Sequence, residues 1–199
     1  MWYVVQVYGG REENTAELIK QWIPRQFLTD CFIPVRERER KFHGKWNFVR
    51  EVLFPGYIFV ESSQPEKLFE ELKRVPKLTR LLGGDGGDEP CFIPLEKTEA
   101  REILKLGDEN HVTGISKIRI SPKTAKQDGK PGEDGEGRKA ENRVEVLSGP
   151  LKGKEGRIAR VNLHRREAVI RIDFMGRETE IFLGIETIGD KSPQKELKK

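Results

Sequence analysis

A chain of 199 residues in which charged and apolar residues each make up 35% can bury one good core or two modest ones beneath an ion-rich surface. The formal net charge is only +4, so where the basic residues cluster says more about a polyanionic partner than their excess does. No long apolar segment and no signal-peptide pattern occurs, since Arg11, Glu12 and Glu13 follow closely on the first apolar run. A cytoplasmic protein without a membrane partner is expected.

In chain order, residues 2–8, WYVVQVY, read as a strand with Tyr3, Val5 and Val7 on one face and Trp2, Val4, Gln6 and Tyr8 on the other. Residues 12–23 place Ala16, Ile19 and Ile23 at helical spacing, with acids in the first turn and Pro24 as the stop. A second strand begins at CFIPV and runs into RERERK, where extended geometry sets Arg36, Arg38 and Arg40 on one face and Glu37 and Glu39 on the other. With a turn at His43 and Gly44, this segment is a projecting hairpin; a plain solvated hairpin and one that grazes a phosphate backbone both fit.

Residues 51–61, EVLFPGYIFVE, form the most apolar run, read as one strand with a kink or bulge at Pro55 and Gly56. Ile58 and Val60 face one side, Tyr57 and Phe59 the other. Helices cover the first face, and the second is an uncovered aromatic patch and a candidate partner site. A second helix carries Leu68, Phe69, Leu72 and Val75 and stops at Pro76, a short strand spans 78–82, GGDGGD is a flexible tip, and a third helix spans 95–106. The order β-α-β-β-α-β plus one helix is ferredoxin-like.

Residues 121–142 contain no aliphatic side chain larger than alanine and cannot offset their ordering entropy by burial. Beyond them, five short strands (144–147, 156–162, 168–174, 178–183 and 185–188) predict a small SH3-like barrel. The expected organisation is a first domain over 1–118, a flexible linker over 119–142, a barrel over 143–190 and a basic tail over 191–199, an α+β chain throughout.

Between Lys152 and Arg171 stand seven basic residues and two acids, a local net charge of +5. Lys152, Lys154, Arg157, Arg160, Arg165, Arg166 and Arg171, with His164, make a basic strip over two adjacent connections, a candidate RNA surface. Gly149, Gly153 and Gly156 serve either close approach to a partner or tight turns. Cys31 and Cys91 are isolated in apolar stretches and are expected to be reduced core residues. His43, His111 and His164 are far apart, and no GxSxG or phosphate loop occurs. No enzyme, catalytic residue, metal site or cofactor is expected.

Taken together, WYVVQVY, CFIP, LFPGYIFV, VEVLSGPLKGKEGRI and FMGRETEIFL resemble the NusG family of transcription elongation factors over nearly the whole chain outside the linker. The resemblance implies a NusG N-terminal domain that binds the clamp helices of the RNA polymerase β′ subunit. Phe54, Pro55, Tyr57 and Phe59 would make that contact, with Trp2 and Gln6 on the neighbouring strand. It also implies a KOW barrel. The connection NLHRRE is similar to LoaP-like specialised paralogues, antiterminators associated with RNA-hairpin recognition, and upstream or non-template DNA is a further partner compatible with it. The alternative is a general elongation factor whose KOW domain meets the terminator Rho or the NusE ribosomal protein. A monomer is expected in either case.

Overall fold

The structure, a computed structural model, describes residues 1–75, 92–122 and 142–188. Its N-terminal half is built on a four-stranded antiparallel sheet, and the strand alternation decides what packs on each side. β1 (Trp2–Gln6) lies between β5 (Tyr57–Glu61) and β6 (Phe92–Pro94), with β2 (Asp30–Phe32) at the far edge, in the order β2-β5-β1-β6. The register sets Val5 opposite Ile58 and Val4 opposite Phe59. Tyr3, Val5, Ile58 and Val60 therefore share one face, buried with Ala16 and Ile19 of α1 (Glu12–Trp22) and Leu68 and Leu72 of α2 (Pro65–Leu72). Val4, Phe32 and Phe59 point the other way, towards Ala100 and Ile103 of α3 (Lys97–Leu104). The predicted strand at 78–82, the GGDGGD tip and Cys91 lie outside the described residues.

The run 51–61 is not one kinked strand. It is the end of β4 (Lys45–Val52), a turn, and then β5 in a different sheet. Gly56 turns the chain at φ +84°, and its N–H donates to the buried Glu12 carboxylate at 2.7 Å, tying the turn to the start of α1. CFIPV and RERERK separate likewise: β2 ends at Phe32, and β3 (Val35–Phe42) begins a second sheet of order β4-β3-β7, with β7 at Val112–Thr113. β3 and β4 form the expected hairpin. Its two turn residues, His43 at φ 47° and Gly44 at φ +81°, are both left-handed, as a tight two-residue hairpin turn requires.

The third sheet is the barrel, and its strand inventory differs from the predicted one. β9 (Asn142–Ser148), β10 (Ile158–Asn162) and β11 (Glu167–Phe174) fall where expected, but residues 178–183 and 185–188 belong to one strand, β12 (Arg177–Thr187). The remaining strand is β8 (Ser116–Pro122), which runs across the predicted boundary at 118 into the start of the predicted linker, paired parallel to β12 and antiparallel to β9, giving the order β10-β11-β12-β8-β9. Gly149, at φ +94°, closes this arrangement, because a Cβ there would lie 2.6 Å from Ser116 Cα. The Ser116 hydroxyl accepts the Leu151 N–H at 3.0 Å beside it. Gly149 therefore serves close approach within the chain.

Candidate protein and nucleic-acid interfaces

The aromatic face of the first sheet is covered by the barrel, not left open as the sequence suggests. Ala168, Ile170, Ile172 and Phe174 occupy alternate positions of β11 and are all buried, and the last of them meets the other half of the molecule. The Phe174 ring centroid lies 4.7 Å from that of Phe54, 5.3 Å from Tyr57 and 6.0 Å from Phe59. Phe54 and Phe59 are consequently only 4% and 1% exposed, Tyr57 and Trp2 are half-buried, and Pro55 and Gln6 are exposed. A cleft of about 670 Å³ beside Phe174 gathers Gln6, Phe54, Pro55 and Tyr57 against Met175 and Arg177. Trp2 stands apart from this group, its ring edge-on to Phe32 at 5.3 Å.

Ionic contacts surround the aromatic plug. Arg157, in the turn before β10, grips Glu102 of α3 through two N–H···O bonds of 2.6 and 2.8 Å. That bond holds the Glu102 carboxyl below the usual carboxylate range and raises the Arg157 guanidinium. The Gly176 N–H donates to Glu99 of the same helix at 3.0 Å. At the other side Arg166 pairs with Glu39 of β3 and lies over the Trp46 ring at 4.1 Å from its centroid. Arg38 pairs with the buried Glu167, and Arg36 bonds Glu51 at 2.8 Å and the Phe182 carbonyl at 2.5 Å.

Two of the three arginines on the predicted basic edge of the hairpin are withdrawn from it, while Arg40 stays 58% exposed. Arg36 and Arg38 are only 13% and 14% exposed and are engaged by carboxylates, so they are not presented to a phosphate backbone. Their Nε atoms are buried without a hydrogen-bond partner among the described residues. The ion cluster therefore supplies little net stability for the charge it buries.

The eight barrel candidates differ in how they are engaged. Arg157 and Arg166 are bound to the N-terminal half as above, while Arg160 pairs with Glu180 at 3.5 Å and Arg171 with Glu178 and Glu180 at 3.9 and 3.5 Å. Lys154 is half-buried, and desolvation pulls its ammonium below the usual lysine range. Lys152, His164 and Arg165 are exposed, with no acidic partner among the described residues. The turn bearing His164 faces the hairpin across a groove of about 650 Å³ whose lining includes Lys41, Trp46, His164 and Arg166 together with the acid Glu186. The basic strip thus has two ends, residues 152–157 and 163–166, joined by β10.

Sequence reasoning missed Phe174, Gly184, Trp46, Glu39 and Glu102. Two signals were available. Phe174 completes the inward row of β11, and Gly184 is a glycine inside a strand pattern. That glycine falls between the two predicted strands 178–183 and 185–188, which are one strand in the structure. It is needed because β3 passes directly over β12, and a Cβ at Gly184 would collide with the Glu37 carbonyl oxygen and lie 3.0 Å from Arg38 Cα.

No helix among the described residues is long and apolar enough to cross a membrane, and no cluster of three or more His, Cys, Asp or Glu there could hold a metal. The chain thus pairs an α+β N-terminal domain whose aromatic face is buried with a small barrel whose turns are basic. Residues 1–104 match the family described as "Transcription termination factor nusG" and residues 142–173 match the KOW motif, so the chain belongs to the NusG family. It is 27% identical over 186 residues to the "Transcription termination/antitermination protein NusG" of Neisseria meningitidis serogroup B, covering 92% of this chain and 93% of that one. With the Thermus thermophilus protein of the same name it shares 28% over 194 residues, covering 92% and 94%. With that of Bacillus subtilis it shares 24% over 188 residues, covering 92% and 93%. Among solved structures, "Domain interaction in Thermotoga maritima NusG" is 26% identical with 92% of both chains covered and a TM-score of 0.47. The chain is a NusG-type transcription termination/antitermination factor, one of a family of transcription factors rather than enzymes.

Proposed function

We propose that this factor works as a processive antiterminator in the manner of LoaP-like paralogues, contacting RNA polymerase with one domain and an RNA hairpin with the other. In this reading Phe54, Pro55, Tyr57 and Phe59, with Gln6 and Trp2 beside them, receive the clamp helices of the β′ subunit. Phe174 occupies that place at rest, so polymerase contact requires the barrel to withdraw. The barrel then holds RNA along the strip from Lys152 to Arg171, phosphate contacts setting its position and one or two arginines reading the groove or loop bases. The observation that supports the RNA assignment is the set of exposed groups without acidic partners among the described residues at the turns flanking β10, the cations Lys152 and Arg165 and the imidazole of His164.

The test is a titration with a labelled stem-loop RNA, taken from a random-loop pool selected on the full chain, at several salt concentrations. Lys152→Ala combined with Arg165→Ala touches no contact with the N-terminal domain. Two lost phosphate contacts would weaken binding and flatten the log–log salt slope by about 1.4 to 1.8. Unchanged affinity and slope would remove the RNA assignment.

A second reading, a general factor whose KOW domain is a protein adaptor to Rho or the NusE ribosomal protein, draws support from the neutralisation of Arg157, Arg160, Arg166 and Arg171 by the chain's own acids. Recovery of either partner by the full chain in a pull-down, with no RNA selected, would favour it.

A further inference from the structure

A guanidinium that holds a carboxylate through two parallel N–H bonds presents the same fork that would hold a phosphate, and it cannot do both at once. Arg157 commits both terminal nitrogens to Glu102. Arg166 commits one to Glu39 and lays its flat face on Trp46. The two arginines mark the two ends of the barrel's basic strip, separated by β10 and the turn that follows it, and their carboxylate partners come from α3 and β3 of the other half. Beside each latched arginine stands an exposed cation with no acidic partner among the described residues: Lys152 lies shortly before Arg157, and Arg165, next to the exposed imidazole of His164, precedes Arg166. The N-terminal domain therefore places a carboxylate on each of these two arginines, while Lys152 and Arg165 beside them remain open to solvent.

We infer that Glu39 and Glu102 act as internal phosphate surrogates, so that RNA binding to the barrel and docking of the barrel on the aromatic face compete for Arg157 and Arg166. This inference rests on the RNA-binding reading above. An arriving RNA meets Lys152, His164 and Arg165 first and then draws the two latched arginines away from their carboxylates. Docking weakens as a result, and Phe54, Tyr57 and Phe59 become available. By linkage the coupling is reciprocal: a partner that occupies the aromatic face raises the barrel's affinity for RNA by the same factor. RNA leaves the Arg36, Arg38 and Glu167 cluster and the Phe174 plug untouched, so it acts through two partly exposed pairs and shifts the docking equilibrium roughly tenfold.

The experiment opens the contact in two independent ways in the full chain and measures affinity for the selected stem-loop RNA. Glu39→Gln with Glu102→Gln removes the surrogate charges. Gly184→Ala changes no charge and drives β3 off β12 by collision with the Glu37 carbonyl. The Gly176 amide resonance, whose N–H bonds Glu99 in the docked form, reports opening. Both variants should move that resonance and bind RNA about tenfold more tightly, and RNA added to the wild type should move it in the same direction. RNA that binds, and is weakened by Lys152→Ala with Arg165→Ala, yet binds both opened variants no better than wild type, would overturn the competition alone. Failure to select any RNA on the wild type or on the opened variants would overturn the RNA reading itself. Should Gly184→Ala fail to fold, the paired glutamine variant decides the question.

Discussion

Truncating Phe174 to alanine isolates the contact on which the resting arrangement depends. The ring is 5% exposed and meets three aromatic rings of the other domain at 4.7, 5.3 and 6.0 Å. Deleting a buried phenylalanine costs about 3–5 kcal/mol in transfer and cavity terms. Each cross-domain ring pair contributes about 0.5–1.5 kcal/mol beyond its area. Part of the total falls on the barrel, whose inward row Phe174 completes, and assigning about 3 kcal/mol to docking shifts that equilibrium about a hundredfold. The N-terminal sheet keeps its other core, the Tyr3, Val5, Ile58 and Val60 face under α1 and α2, so both halves remain folded. The assay is the amide spectrum of the full chain together with binding of an apolar dye. The Gly176 and Arg38 resonances should leave their docked positions, and dye fluorescence should rise as Phe54 and Phe59 emerge. Unmoved resonances and unchanged fluorescence would refute the reasoning and place the docking energy in the ion cluster instead.

Acid should loosen the same contact. Glu102 is held below its ordinary value of 4.5, first by its hydrogen bond to Arg157 and further by the charges of Arg157, Lys154 and Lys105. A carboxylate with a lowered folded-state value contributes fully above its ordinary value and loses that contribution as pH falls through the lowered one. The Gly176 amide should therefore titrate below about pH 4.5. In Glu102→Gln that transition should be lost, and its persistence would assign the acid sensitivity to another group. Burial pushes the Cys31 thiol up to about 12, against the sheet at 2% exposure. In a Cys91→Ser chain, a thiol reagent at pH 8 should leave Cys31 unmodified until denaturant unfolds the domain, and rapid labelling of the native chain would contradict its burial.

What sequence pattern alone determined here is local. The alternation in β1 and β5 assigned Val5, Ile58 and Val60 to the helix-covered side and Val4 and Phe59 to the other, because a strand's two-residue period needs no knowledge of the rest of the chain. The hairpin turn at His43 and Gly44, the helix stop at Pro24 and the barrel strands β9 to β11 were legible because each is likewise set by a short stretch of chain. Pro55 and Gly56 were read as a kink or bulge within one strand, whereas they end one strand and begin another, because whether a strand bulges or moves to a new sheet depends on what it pairs with.

Tertiary structure alone decided which groups meet across long separations. Ser116–Pro122 reads as an ordinary strand anywhere, and only its pairing with β12 and β9 places it in the barrel. Arg36 and Arg38 look like a free basic edge until Glu167, well over a hundred residues away, arrives to neutralise them. Periodicity shows that Phe59 turns away from the helices, yet it cannot show that Phe174 will cover it. Facing direction is a property of one backbone segment, whereas coverage is a free-energy balance between distant surfaces that exists only once both have folded.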